Sequence, residues 1–219
     1  MREILFPEKD RALREDVRVL GALVGEMLAE QQGAEFLQQV EAVRRTAIER
    51  REGKTGAAVE LDDLLSGMSI AEAGPLVRAF TTYFQVVNLA EKVHRIRRRR
   101  DYLRRGEKAQ PGGLLAVIQE LDSSSGDEIL EALEGLTIEP VMTAHPTEST
   151  RRTLLEKEQM ILRRLVGRLD PSRTPEEELA ALERIRAAVT SNWQTEMYPE
   201  QRLSVRNEME HVLFYLTDV

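Results

Sequence analysis

The chain has 219 residues, of which 42% are hydrophobic and 32% charged, and its formal net charge is −7. This acidic balance argues against a general nucleic-acid binder, because phosphate binding requires a cationic surface, although a local basic pocket for a small anion remains compatible with it. The absence of cysteine excludes disulfides, thiolate nucleophiles and cysteine-ligated metal sites, and no apolar run is long enough to predict a membrane span. A cytoplasmic protein without membrane or nucleic-acid partners is therefore expected.

Apolar stripes predict helices over most of residues 1–135. The first stripe runs from Leu13 to Met27 at spacings of three and four, and Gly33 follows as a helix stop. A second stripe runs from Phe36 to Ala47, and a short helix is predicted near residues 61–65. These patterns favour a mainly α fold.

A long helix is predicted next, and its start has two signals. Ser69 and Glu72 have the spacing of a capping box, and Pro75 suits a first helical turn. The helix is predicted to end near Arg105, before Gly106. Its buried stripe is predicted to comprise Leu76, Phe80, Tyr83, Val87, Ala90 and His94. Two shorter helices are predicted near residues 114–121 and 127–133.

Residues 136–144 carry the only credible strand pattern, since they include Thr137, Ile138 and Val141 between Gly135 and Pro146. A single strand cannot form a sheet, so its partners are expected outside this chain. Further apolar stripes predict helices after Pro146. The last stripe is still running at Val219, which predicts a helix that is cut off.

His145 is the strongest candidate for chemistry. It lies where the predicted strand ends and a helix is about to begin, a place where α/β architectures bind substrates. An imidazole moves protons near neutral pH, and the guanidinium groups of Arg151 and Arg152 can bind phosphate or carboxylate. A structural histidine at a strand end is the alternative. His94 lies on an apolar stripe and is predicted to be a core histidine. His211 lies beside acidic residues and is predicted to be a surface or interface histidine.

Residues 141–148 read VMTAHPTE, and with Arg151 and Arg152 they resemble the histidine signature of phosphoenolpyruvate carboxylases. Further similarity to this family is spread along the chain in family order, at residues 13–17, 20–26, 79–80, 88–95 and 193–196. The resemblance implies a bacterial-type member of the family.

The resemblance also implies a reaction. Members of the family are lyases that fix carbon dioxide by adding bicarbonate to phosphoenolpyruvate, which gives phosphate and oxaloacetate, an intermediate of the tricarboxylic acid cycle. Bicarbonate is thought to attack the phosphate, forming carboxyphosphate and the enolate of pyruvate. The histidine that matches His145 is thought to take a proton from carboxyphosphate, and Arg151 and Arg152 are candidates for binding the anionic substrate. The implied metal is Mg²⁺ or Mn²⁺.

The implied fold is an α-rich β/α barrel. In it, residues 1–135 form a helical region, residues 136–144 the first barrel strand, and residues 145–219 the following helices. Family members are several times longer, so the metal ligands are expected beyond residue 219 and none is assigned to this chain. The isolated segment is expected to be inactive, and the full-length enzyme to be a homotetramer. The alternative from another class is a helical histidine-phosphotransfer or interaction module, which Pro146 disfavours because proline opposes helix at the preceding residue.

Overall fold

A computed structural model describes residues 7–106, 112–120, 126–137, 139, 151–197, 204–207, 209–210 and 213. These residues are overwhelmingly helical, and none of those described lies in a β-strand. Within the described ranges, a short 3₁₀ helix at Glu8–Asp10 is followed by the α-helices α1 (Arg11–Gln32), α2 (Ala34–Arg51), α3 (Ala57–Ser66), α4 (Ile70–Arg105), α5 (Leu114–Glu120), α6 (Gly126–Glu134), α7 (Arg152–Gly167) and α8 (Pro175–Trp193). Residues 205–207, 209–210 and 213 are also helical. The prediction of a mainly α chain is confirmed.

The chain divides into two compact units. The first takes in residues 1–93 and 151–198, and the second takes in residues 94–150 and 199–219. The first unit contains α1, α2, α3, α7 and α8 and the part of α4 up to Val93. The second contains the rest of α4 together with α5 and α6.

Local sequence signals set where the helices of the first unit begin and end. Gly33 separates α1 from α2 with a φ of +92°, a conformation that costs glycine little because it has no Cβ. Ser69 caps α4 as predicted, since its Oγ accepts from the Glu72 N–H at 3.4 Å while its own N–H donates to the Glu72 carboxylate at 2.8 Å. Thr174 and Glu177 form a second capping box at the start of α8.

The core of the first unit is built from aliphatic side chains of six helices. Helix α1 packs against α2 and α8, and α7 packs against α8. The most deeply buried side chains include Leu20 and Met27 of α1, Ile161 of α7, and Ile185 of α8. Each of them lies at a spacing of three or four from other core residues of its helix, as on the buried face of an amphipathic helix.

Two details of α4 differ from the sequence prediction. The helix begins at Ile70, so Pro75 lies inside it rather than at its start. The predicted stripe was also only partly right: Leu76, Ala90 and His94 are buried. Phe80, Tyr83 and Val87 are only partly buried, and Ala79 and Thr82 are buried although the stripe omitted them. A stripe chosen by size and hydrophobicity misses small side chains such as these two.

The predicted strand at 136–144 lies largely outside the described residues. Leu136, Thr137 and Glu139 are described and belong to neither a helix nor a strand. Leu136 donates its N–H to the Leu133 carbonyl at 3.2 Å, as a turn that continues the end of α6. The barrel strand therefore stays a prediction for the residues that follow.

Candidate functional site

The predicted site divides between residues that the structure describes and residues that it does not. His145 and the rest of the signature at residues 141–148 lie outside the described residues, as does His211. The two candidate anion-binding residues, Arg151 and Arg152, are described at the start of α7. The described part of the site is therefore the stretch that leads out of the signature.

Arg151 connects the start of α7 to the chain that follows α8. Its N–H donates to the Met197 carbonyl at 3.2 Å, and its Nη2 donates to Glu196 Oε2 at 3.1 Å. The side chain of Arg151 is 35% exposed, and that of Glu196 is 69% exposed. One backbone bond and one ion pair thus fix the residue that lies six positions after His145.

Arg152 is held differently. Its Nε donates at 2.9 Å to Glu156 Oε1, one turn further along α7, and both side chains are about half exposed. Arg151 thus contacts the segment after α8, whereas Arg152 contacts its own helix.

A polar cluster at the end of α8 was not predicted from the sequence. Lys157 of α7 donates from Nζ to Ser191 Oγ at 2.6 Å, to Thr195 Oγ1 at 3.2 Å and to the Ser191 carbonyl at 3.4 Å. Thr195 Oγ1 in turn donates to the Ser191 carbonyl at 2.7 Å. A lysine inside an amphipathic pattern usually lies at the surface, so only the folded arrangement reveals this role.

Arg78 of α4 also contacts the residues at the end of α8. Its Nη2 donates to the Thr195 carbonyl at 2.6 Å, and its guanidinium lies 5.2 Å from the ring centre of Trp193. We call Arg78, Lys157, Ser191 and Thr195 the α8-end cluster. Both cations of the cluster lie at the C-terminal end of α8, where the helix dipole is negative and its last carbonyls lack helical partners. Trp193 itself is buried.

Two further ionisable groups have a defined environment. Burial raises the pKa of Glu158 on α7, and Lys92 of α4 partly offsets this increase. His94 is buried, as predicted for a core residue, and its Nδ1 lies 3.0 Å from Arg97 Nη1. Because an arginine can only donate, Nδ1 is the acceptor in that bond.

The described residues contain no group of three or more histidine, aspartate or glutamate side chains arranged to hold a metal ion. Within the same residues, no helix combines the length and the apolar character that crossing a bilayer requires.

Comparison with known proteins gives a consistent result. The sequence profile described as phosphoenolpyruvate carboxylase matches residues 13–219. A phosphoenolpyruvate carboxylase of Xanthomonas campestris pv. campestris is 52% identical over 219 residues, which cover 99% of this chain and 24% of the relative. The enzyme of Xanthomonas oryzae pv. oryzae is 50% identical over 219 residues, which cover 99% of this chain and 24% of that relative. The enzyme of Ralstonia nicotianae is 41% identical over 210 residues, which cover 94% of this chain and 21% of that relative. The chain thus spans about a quarter of the length of the curated relatives it matches.

Proposed function

This chain belongs to the phosphoenolpyruvate carboxylase family, and from that premise we propose that it forms the N-terminal part of an enzyme that adds bicarbonate to phosphoenolpyruvate. The products are oxaloacetate and phosphate. The observation that carries the proposal is the family match over residues 13–219, combined with an intact histidine signature at residues 141–148. We place the enzyme in the cytoplasm and expect the full-length protein to be a homotetramer.

His145 is the proposed catalytic base. Bicarbonate attacks the phosphorus of phosphoenolpyruvate, which gives carboxyphosphate and the enolate of pyruvate. His145 accepts the proton of carboxyphosphate, whose breakdown yields carbon dioxide and phosphate, and the enolate carbon then attacks the carbon dioxide to form oxaloacetate. A positioned base of this kind contributes roughly 10²–10⁴-fold to a rate.

Arg151 and Arg152 are the proposed anion-binding residues. Their guanidinium groups can donate paired hydrogen bonds to phosphate or carboxylate oxygens. The ion pair with Glu196 orients Arg151 before any anion arrives, so the loss of side-chain freedom on binding is smaller.

Mg²⁺ or Mn²⁺ is the proposed cofactor, and a bound divalent ion would offset negative charge on the phosphate. We expect its ligands beyond residue 219, and we assign no ligand to this chain. The isolated chain is accordingly proposed to be inactive.

An assay of the full-length protein tests the proposed function. Phosphoenolpyruvate, bicarbonate and Mg²⁺ are supplied, and oxaloacetate is measured through its reduction to malate by NADH and malate dehydrogenase. Oxaloacetate should form only when all three components are present. No oxaloacetate, together with a stable phosphoryl group on His145, would instead support the phosphotransfer alternative.

A further inference from the structure

We propose that a helix from the rest of the full-length enzyme packs along one side of α4, on the stretch from Ile70 to Phe84. The proposal concerns an interaction surface, and it takes from the proposed function only that this chain is the N-terminal part of a longer polypeptide. The whole stretch belongs to the first unit, so a single compact body carries the surface. We call this surface the α4 face.

The α4 face is a stripe of five positions at helical spacing. Ile70, Gly74, Val77, Thr81 and Phe84 follow one another at intervals of four, three, four and three residues, so they share one side of the helix. The large apolar side chains among them, Ile70, Val77 and Phe84, are each more than half exposed. The stripe is roughly 21 Å long at 1.5 Å per residue. Alternating intervals of this kind are typical of a helix that packs lengthwise against another helix.

The hydroxyl group on this face already has a partner. Thr81 donates its Oγ1 hydroxyl to the Val77 carbonyl at 2.9 Å, so burial beneath a partner would leave no hydroxyl donor unpaired. Asn88 and Glu91 continue the same line along α4 and are exposed polar residues. The α4 face can therefore be buried at little polar cost, and it ends where polar residues begin.

Gly74 is a second, independent indication of an occupant. It lies in the second turn of α4, where glycine is less favourable than alanine because it loses more backbone freedom on folding. Its φ is not positive, and among the residues that the structure describes a Cβ added at Gly74 would meet no heavy atom of another element within 4 Å. A closely packed helix would account for this glycine, since a position without a side chain lets another backbone approach.

The length of the relatives and the size of the face favour a segment of the same polypeptide over a second subunit. The chain covers 24% of a relative, so about three quarters of such an enzyme lies outside it. The apolar side chains of the α4 face expose on the order of a few hundred Å², whereas a stable interface between separate subunits buries roughly 800 Å² per partner. A covalently linked segment docks at a high effective concentration, so a small surface suffices.

Thiol labelling of the native full-length enzyme tests whether the α4 face is covered. Val77→Cys places a probe on the face, and Val59→Cys is the matched control on α3. The two valines are 64% and 66% exposed, but Val59 is followed at helical spacing by the exposed Asp62 and Asp63. Maleimide labelling at each site is read from peptide masses. Val77→Cys should label only when the covering helix opens, at least roughly tenfold more slowly than Val59→Cys. A native rate for Val77→Cys equal to its rate in the urea-unfolded enzyme would overturn the proposal.

Photo-cross-linking from position 84 identifies the occupant. Phe84 of the full-length enzyme is replaced with the photo-reactive benzoylphenylalanine, and the cross-linked peptides are identified after irradiation. The bond should form within one polypeptide, to a segment outside residues 1–219. A product of twice the polypeptide mass would assign the face to a second copy, and a cross-link within residues 1–219 would assign it to this chain. Either result would overturn the proposal.

Gly74→Ala gives opposite signs for a covered and an open face. On an open face, the higher helix propensity of alanine should raise the apparent melting temperature of the full-length enzyme. Beneath a closely packed helix, the added methyl group should lower it. The proposal predicts a fall, and a rise would overturn it. None of these readouts depends on oxaloacetate formation, so a failure of the proposed function and a failure of this inference are separate results.

Discussion

Replacing Ile185 with alanine should destabilise the first unit strongly, because Ile185 lies at the centre of its core. Its side chain is 0% exposed, and α8 packs there against α1 and α7. Leu179 offers a matched control on the same helix: its side chain is 59% exposed, and its replacement by alanine also removes three carbon atoms.

The expected magnitude follows from burial. Three buried carbons at about 0.8 kcal/mol each give about 2.4 kcal/mol of lost transfer free energy. The cavity left behind adds to this value, and the higher helix propensity of alanine returns up to about 0.5 kcal/mol. The free energy of unfolding should therefore fall by about 2–4 kcal/mol for Ile185→Ala and by less than about 0.5 kcal/mol for Leu179→Ala.

Urea titration followed by tryptophan fluorescence measures both values. Trp193 is the only tryptophan in the chain and is buried in the same core, so its emission reports the unfolding of this unit. Equal losses for the two variants, or a loss below about 1 kcal/mol for Ile185→Ala, would contradict the buried face assigned to α8.

Three other substitutions test local physics. Burial raises the pKa of Glu158 above its ordinary value of 4.5, so ionisation of this carboxyl group opposes folding. Glu158→Gln should therefore raise the melting temperature at pH 7. The difference in melting temperature between the variant and the unaltered chain should vanish below about pH 4.5. Thr174→Ala removes the cap of α8 and should lower the free energy of unfolding by about 1 kcal/mol, as urea titration measures. Arg168 lies 2.6 Å from Glu178 and 3.6 Å from Asp16 in a largely buried ion cluster, so Arg168→Met should lower the free energy of unfolding by about 2–4 kcal/mol, also measured with urea.

Each of these has an outcome that would contradict it. If the stability advantage of Glu158→Gln over the unaltered chain grew as the pH fell, the reasoning would be wrong. A group whose pKa is raised by folding stabilises the folded state below its unfolded pKa, and this contribution is lost as the pH rises through the folded pKa. Thr174→Ser keeps the hydroxyl and should match the unaltered chain; a loss equal to that of Thr174→Ala would rule out capping. Asp16→Asn combined with Arg168→Met should cost less than the sum of the single losses, and additive losses would argue against an interaction.

The helices could be predicted from the sequence because their signals are local. Gly33 and the Ser69 capping box mark boundaries that depend only on neighbouring residues, and the structure has both. The face of α4 could not be predicted in the same way. Val77 and Phe84 of that helix are exposed although both are apolar, so apolar residues surround the helix and periodicity alone does not identify the buried side.

The contacts around Arg151 and Lys157 could not be predicted from the sequence for a related reason. A family signature is contiguous, so His145, Arg151 and Arg152 stand out in the sequence. The bond of Lys157 to Ser191 joins residues 34 positions apart, and the pairing of Arg151 with Glu196 joins residues 45 apart. Such pairs are created by the packing of α7 on α8, and no spacing rule within one helix indicates them.

The most direct test of the central claim is a parallel measurement of oxaloacetate and phosphate for His145→Asn and His94→Asn in the full-length enzyme. If His145 is the base, its replacement should lower oxaloacetate formation by at least roughly 10²–10⁴-fold, while bicarbonate-dependent phosphate release persists in part. His94 is a buried core residue, so His94→Asn should lower stability and leave turnover per folded molecule nearly unchanged. Near-normal oxaloacetate formation by His145→Asn would contradict the catalytic role proposed for this histidine.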